Sequence, residues 1–172
     1  TMTLNNIASW VGGFANGGTL NIYSVTTATE MYGTINNSGN LNLRAATEGK
    51  NITMAAITGN GKTNILAGSG NVYFGNNVEN ALLVNLGSVA YISPSNLRGG
   101  AENNGTIYMS GATALGSNIT GTGSVIFNTN GASSAKSITQ NTVQVNDSVT
   151  ITNKNAGSIT ANTIFTNNGA IV

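Results

Sequence analysis

One short pattern recurs along the whole chain: glycine, a small polar residue, an aliphatic residue, any residue, then a second apolar one. It stands at Gly18-Thr19-Leu20-Asn21-Ile22, Gly39-Asn40-Leu41-Asn42-Leu43 and Gly70-Asn71-Val72-Tyr73-Phe74. It returns at Gly105-Thr106-Ile107-Tyr108-Met109 and Gly123-Ser124-Val125-Ile126-Phe127, with weaker copies starting at Gly33, Gly157 and Gly169. Alternation of apolar and polar residues over four or five positions is the period of a half-buried strand. The β-branched Thr, Ile and Val that fill it suit a pleated surface. Asn-Gly pairs at Asn16, Asn60, Asn104, Asn130 and Asn168 separate the runs, and each reads as a turn at which glycine supplies positive φ. The chain is therefore predicted to be all-β, with many short strands, sharp corners and little helix.

Self-similarity at about 20 residues marks a repeat architecture. The strands are short and matched hairpin pairs are hard to pick out, which favours a parallel β-solenoid (β-helix). An antiparallel β-sandwich of the pilin type is the alternative. A solenoid also accounts for the composition. Only 6% of residues are charged, against about a quarter in an ordinary soluble domain. Asn (29), Thr (23) and Gly (23) take their place. In a stacked coil each residue lies about 4.8 Å from its counterpart on the next turn. A charge there meets a like charge, whereas Asn and Thr can form hydrogen-bonded ladders along the stack. With 40% hydrophobic residues the chain has enough apolar surface to fold, and its 172 residues fit one domain.

The same composition excludes several chemistries. There is no histidine and no cysteine, so Ser-His-Asp and Cys-His nucleophiles, disulfides and thiolate metal sites are out. Five acids remain: Glu30, Glu48, Glu79, Glu102 and Asp147. A glycosidase pair would need two of them about 5–10 Å apart in a groove, and Glu30 and Glu48, 18 residues apart, could meet on adjacent turns. Both read more simply as solvated corner residues. One aspartate does not make a calcium-binding β-roll. We therefore expect no enzyme, no metal and no cofactor. The net charge of +1, with six scattered cations, offers nothing to nucleic acid. No apolar run approaches the roughly 18–20 residues of a membrane span.

Stretches such as GTINNSGNLNL, NITGTGSVIF and GSITANTIFTNNGAIV resemble the passenger regions of bacterial autotransporters and related large surface antigens. The resemblance covers most of the chain and lies in style rather than in a diagnostic motif. It implies a right-handed parallel β-helix, export through the envelope and display on the bacterial surface, and it carries over no functional residues.

Residues 1–17 do not match the pattern, and they hold the single tryptophan, Trp10, with Phe14 four residues on. They are read as an N-terminal cap or subunit-docking segment, with the solenoid domain over 18–172. No charged residue follows Lys154, and the chain closes on strand-like Ala170-Ile171-Val172, an edge suited to pairing. Trp10, Phe14, Ile171 and Val172 are therefore the expected subunit contacts. Tyr73 and Tyr108 stand in the polar phase of their strands and are candidate binding aromatics, unless both faces of those strands are covered. The function expected is that of a secreted, extracellular structural protein, a homopolymer whose copies join end to end into a filament or surface layer. The alternative is an adhesin module binding a host surface or polysaccharide.

Overall fold

The structure, a computed structural model, describes residues 1–111, 113–128, 133–134, 136–146, 150–153, 157–166 and 169–172. The chain winds through about eight turns, each visiting three sides in order. The first turns are β1 (Met2–Asn5), β2 (Ser9–Trp10) and β3 (Phe14–Asn16), then β4 (Thr19–Ser24), β5 (Thr29–Met31) and β6 (Ile35–Asn37). There follow β7 (Asn40–Ala45), β8 (Ile52–Met54), β9 (Ile57–Thr58), β10 (Lys62–Ile65) and β11 (Asn71–Phe74). The coil continues through β12 (Ala81–Val84), β13 (Val89–Ile92), β14 (Ala101–Asn103), β15 (Thr106–Met109), β16 (Ile119–Thr120) and β17 (Ser124–Phe127). The last strands are β18 (Ser133–Ser134), β19 (Ile138–Val145), β20 (Thr150–Asn153), β21 (Ile159–Thr166) and β22 (Ala170–Ile171). The described residues hold one 3-10 turn, Pro94–Asn96, and no α-helix.

Every strand pairing among the described residues is parallel, which makes the chain a β-solenoid and removes the antiparallel sandwich. On the first side the order is β1-β4-β7-β10-β12-β14-β16-β19, and on the second β2-β5-β8-β11-β13-β15-β17-β19, with β21 pairing β19 on both. The third side is narrower: β3-β6-β9, extended by single bridges at Val78 and Leu97, and later β18-β20-β22. A turn takes between 17 residues (Val89 to Thr106) and 23 (Thr29 to Ile52). Residues 1–17 form β1, β2 and β3, each in register with β4, β5 and β6 of the next turn.

The alternation in the sequence becomes two kinds of column. Inward columns are aliphatic and buried, as in Leu20, Leu41, Leu82, Ile119 and Ile138, or Ile52, Val72, Ala90, Ile107, Val125 and Val143. Each buried Leu, Ile or Val side chain contributes about 1.5–3 kcal/mol. Outward columns carry mostly polar and aromatic side chains, and one begins as a run of amides. Asn64 Nδ2 donates to Asn42 Oδ1 at 2.8 Å, Asn42 to Asn21 Oδ1 at 2.8 Å, and Asn21 to Thr3 Oγ1 at 3.1 Å. This is the amide ladder that stacking favours.

A second set of amides lies inside the coil. Asn16 Nδ2 donates to Asn37 Oδ1 at 2.7 Å, and Asn37 Nδ2 to Asn80 Oδ1 at 2.5 Å. Asn37 and Asn80 are two turns apart, and the residue between them in the column is Gly59, one step beyond the Asn36–Thr58 register pair. Asn103 repeats the arrangement by donating to Gln140 Oε1 at 2.7 Å across Gly121. Amides can meet over two turns only because the intervening residue has no side chain. A Cβ on Gly59 would lie 2.5 Å from Asn37 O. Thr63, the polar residue in an otherwise aliphatic column, is explained by the same network, since its Oγ1 donates to Asn80 Oδ1 at 3.1 Å.

The glycines of the Asn-Gly pairs differ from expectation. Positive φ occurs at Asn6 and at Gly12, Gly49, Gly59, Gly87, Gly100, Gly111 and Gly121, and not at Gly17, Gly61 or Gly105. At Gly61 and Gly105 the turns press together, at Gly17 they do not, and Asn130 and Asn168 lie outside the described residues. A Cβ on Gly61 would stand 2.3 Å from the carbonyl oxygen of Gly39 on the turn before.

Candidate functional site

The second side carries one outward column from end to end: Ser9, Glu30, Thr53, Tyr73, Tyr91, Tyr108, Ile126, Gln144 and Phe165. Tyr73 and Tyr108, singled out from the sequence, are indeed outward and half-buried, and Tyr91 joins them. The rings stack, with centroids 4.7 Å apart for Tyr73–Tyr91 and 4.6 Å for Tyr91–Tyr108, at interplanar angles of 21° and 8°. Stacking occupies both faces of Tyr91 and one face of each neighbour. What the column offers outward is therefore ring edges and hydroxyls. Asn71 Nδ2 donates to the Tyr73 hydroxyl at 3.2 Å. Tyr91 was missed in the sequence because its strand, Val89-Ala90-Tyr91-Ile92, lacks the leading glycine. Its distance of about one turn from both other tyrosines was the available signal.

Burial between its neighbours pushes the Tyr91 phenol above the usual 10.0, and the Tyr108 and Tyr73 phenols add to the effect. The folded chain thus keeps this proton to higher pH than the unfolded chain. Stability contributed in full below about pH 10 is lost as pH rises past it. Denaturation midpoints measured on either side of about pH 10 should show that fall, and Tyr91→Phe should flatten it.

The four expected contact residues fall at the two ends of the coil. Trp10 stands beneath Met31 and Phe14 beneath Ile35 in inward columns of the first turn. Their rings meet edge to face across the corner between β2 and β3, with centroids 6.1 Å apart at 72°. Both are half-buried against the core. Ile171 is half-buried on β22 and Val172 is 71% exposed, at the opposite end.

Of the two weighed carboxylates, Glu30 lies on β5 and accepts from the Tyr32 hydroxyl, a contact that raises the Tyr32 phenol. Glu48 lies in the turn between β7 and β8. They do not share a column. Among the described residues no group of three His, Cys, Asp or Glu is placed to hold a metal ion, and no helix is long and apolar enough to cross a membrane. Compared with protein-family models, curated proteins and solved structures, the chain matches none.

Proposed function

We propose that the chain is a non-enzymatic structural protein, secreted to the bacterial cell surface, whose copies join end to end into an extracellular filament or surface layer. The observation that carries this reading is the parallel stacking itself, in which each turn offers the next the same strand edges and apolar columns. Ile164 continues the column of Val125 and Val143, both fully buried, yet is 47% exposed, and its neighbour Phe165 is 54% exposed. At the other end Met2 is 41% exposed below buried Leu20. Among the described residues, β1, β2 and β21 on the first two sides each pair on one edge only. An edge strand with free N–H and C=O groups beside apolar side chains is a template for another strand. One end meeting the other is a heterologous contact, which propagates as an open filament unless its rotation closes a ring.

Electron microscopy and light scattering of the 172-residue chain test this. Fibres that lengthen with concentration are expected, and Ile164→Lys with Phe165→Lys should leave folded monomers. Monodisperse unmodified chain at high concentration would overturn the proposal. A surface-display module of the adhesin type is the second reading. It is favoured by clefts that lie on an outer side of the coil and leave both ends free.

A further inference from the structure

We propose that the first side of the coil binds an uncharged linear glycan laid along the solenoid axis. The proposal deepens the second reading and does not depend on end-to-end assembly. Two clefts lie on this side, flanking one shared column of Asn64, Leu83, Glu102, Thr120, Thr139 and Thr160. The larger, about 400 Å³, runs between a column of Lys62, Ala81, Gly100 and Asn118 and a column of Asn64, Leu83, Glu102 and Thr120. The smaller, about 220 Å³, lies higher up the coil on the other flank of that column, beside Thr139, Asn141, Thr160 and Asn162. From Asn64 to Thr160 the column climbs five turns, roughly 24 Å at the spacing of paired strands. That shape suits an extended chain better than a single compact molecule.

The hollow follows from the sequence. Ala81 and Gly100 bring almost no bulk to the surface, and Gly99 beside them has no room for any, since a Cβ would stand 2.1 Å from Asn80 O. The amide ladder of Asn21, Asn42 and Asn64 points its donors down the axis and stops here. The next residue in the column is Leu83, so Asn64 Oδ1 meets no donor from the turn above. The first cleft therefore opens on an unused acceptor. Beyond it come the half-buried apolar side chain of Leu83, the carboxylate of Glu102 and the exposed hydroxyls of Thr120, Thr139 and Thr160.

This set matches a sugar chain. Hydroxyls that both donate and accept meet carboxylate, amide and hydroxyl groups, while Leu83 seats the C–H face of a ring. Sugar rings of an extended chain recur at a spacing of the same order as one turn of the coil. Lys62 and Glu102 cancel in charge, so no net field selects a polyanion. The lining is held in place before any ligand arrives. Asn162 Nδ2 donates to Asn141 Oδ1 at 2.9 Å, and Ser137 N donates to Asn118 Oδ1 at 2.9 Å. Fixed side chains lose less entropy on binding.

The test is titration calorimetry of the 172-residue chain against soluble neutral β-linked glucan, xylan and mannan, with a sulfated glycan as the charged comparison. At least one neutral polymer should bind, with an affinity that barely changes with salt. Ala81→Arg, at an exposed position, and Thr139→Lys should each weaken binding by roughly tenfold or more. Thr53→Arg on the second side should leave it unchanged, with all three variants keeping the parental circular dichroism. Binding to the sulfated polymer alone would overturn the neutral-glycan proposal while leaving the surface-binding reading standing. Binding to none of the polymers would overturn both, and neutral binding indifferent to Ala81→Arg and Thr139→Lys would overturn the assignment to this side.

Discussion

Gly121→Ala is expected to cost the fold about 4 kcal/mol or more, although it adds one methyl group. Two effects combine. Gly121 has φ +119°, where a residue with a Cβ is strained by roughly 1–3 kcal/mol. The new Cβ would also stand 2.3 Å from Asn103 O and 2.8 Å from the carbonyl carbon, and backbone cannot move aside without parting the turns. Parting them breaks the bond from Asn103 Nδ2 to Gln140 Oε1. In a chain of this size the loss corresponds to a fall in melting temperature of roughly 8–16 °C. Because strands pair only between neighbouring turns and the inner amides reach no further than the second, damage should be local at first. Hydrogen exchange should therefore rise in β14, β16 and β19 before it rises in β4 and β7. Parental melting and uniform exchange in the Gly121→Ala chain would show that the turns yield without cost.

Asn80→Leu should be nearly as damaging, by about 3–5 kcal/mol, despite exchanging a polar core residue for an apolar one of similar size. Asn80 Nδ2 donates to Gly59 O at 2.8 Å, and Asn80 Oδ1 accepts from Asn37 Nδ2 and Thr63 Oγ1. Leucine takes the Asn80 partner from Gly59 O and Thr63 Oγ1, and one of two bonds from Asn37 Nδ2, which still donates to Lys62 O at 3.0 Å. Each buried group left unpaired costs about 1–3 kcal/mol. Asn42→Ala removes two hydrogen bonds of the same chemistry from the outer ladder, but water replaces the lost partners, so the loss should be about 1 kcal/mol or less. Denaturant unfolding of the two variants side by side decides the point. Equal losses would mean that the inner and outer amides are energetically alike.

The contrast between Asn80 and Asn42 also separates what could be read in advance from what could not. Local alternation is a property of neighbouring residues, so the strands at Gly18, Gly39, Gly70, Gly105 and Gly123 were legible from their own letters. So were the inward aliphatic columns and the tendency of Asn to stack on Asn. The candidate binding surface was legible only in part. Tyr73 and Tyr108 could be placed facing outward, but the ring that joins them into a stack, Tyr91, depends on which turn lies over which. Trp10 and Phe14, four residues apart, were recognised together as expected contacts of the cap or docking segment. The structure puts them on two different sides of the first turn, touching across a corner.

By itself, then, the sequence determined the class of fold: parallel, short-stranded, low in charge and coiled upon itself. Tertiary structure alone decided which asparagines turn inward, why Gly59 and Gly121 must lack side chains, and where Ala81 and Gly100 hollow the outer surface. The physical reason is register. Turns vary between 17 and 23 residues, and a shift of one residue exchanges inside for outside along a strand. The partner of any residue is therefore set by corner lengths some twenty positions away, not by its immediate neighbours.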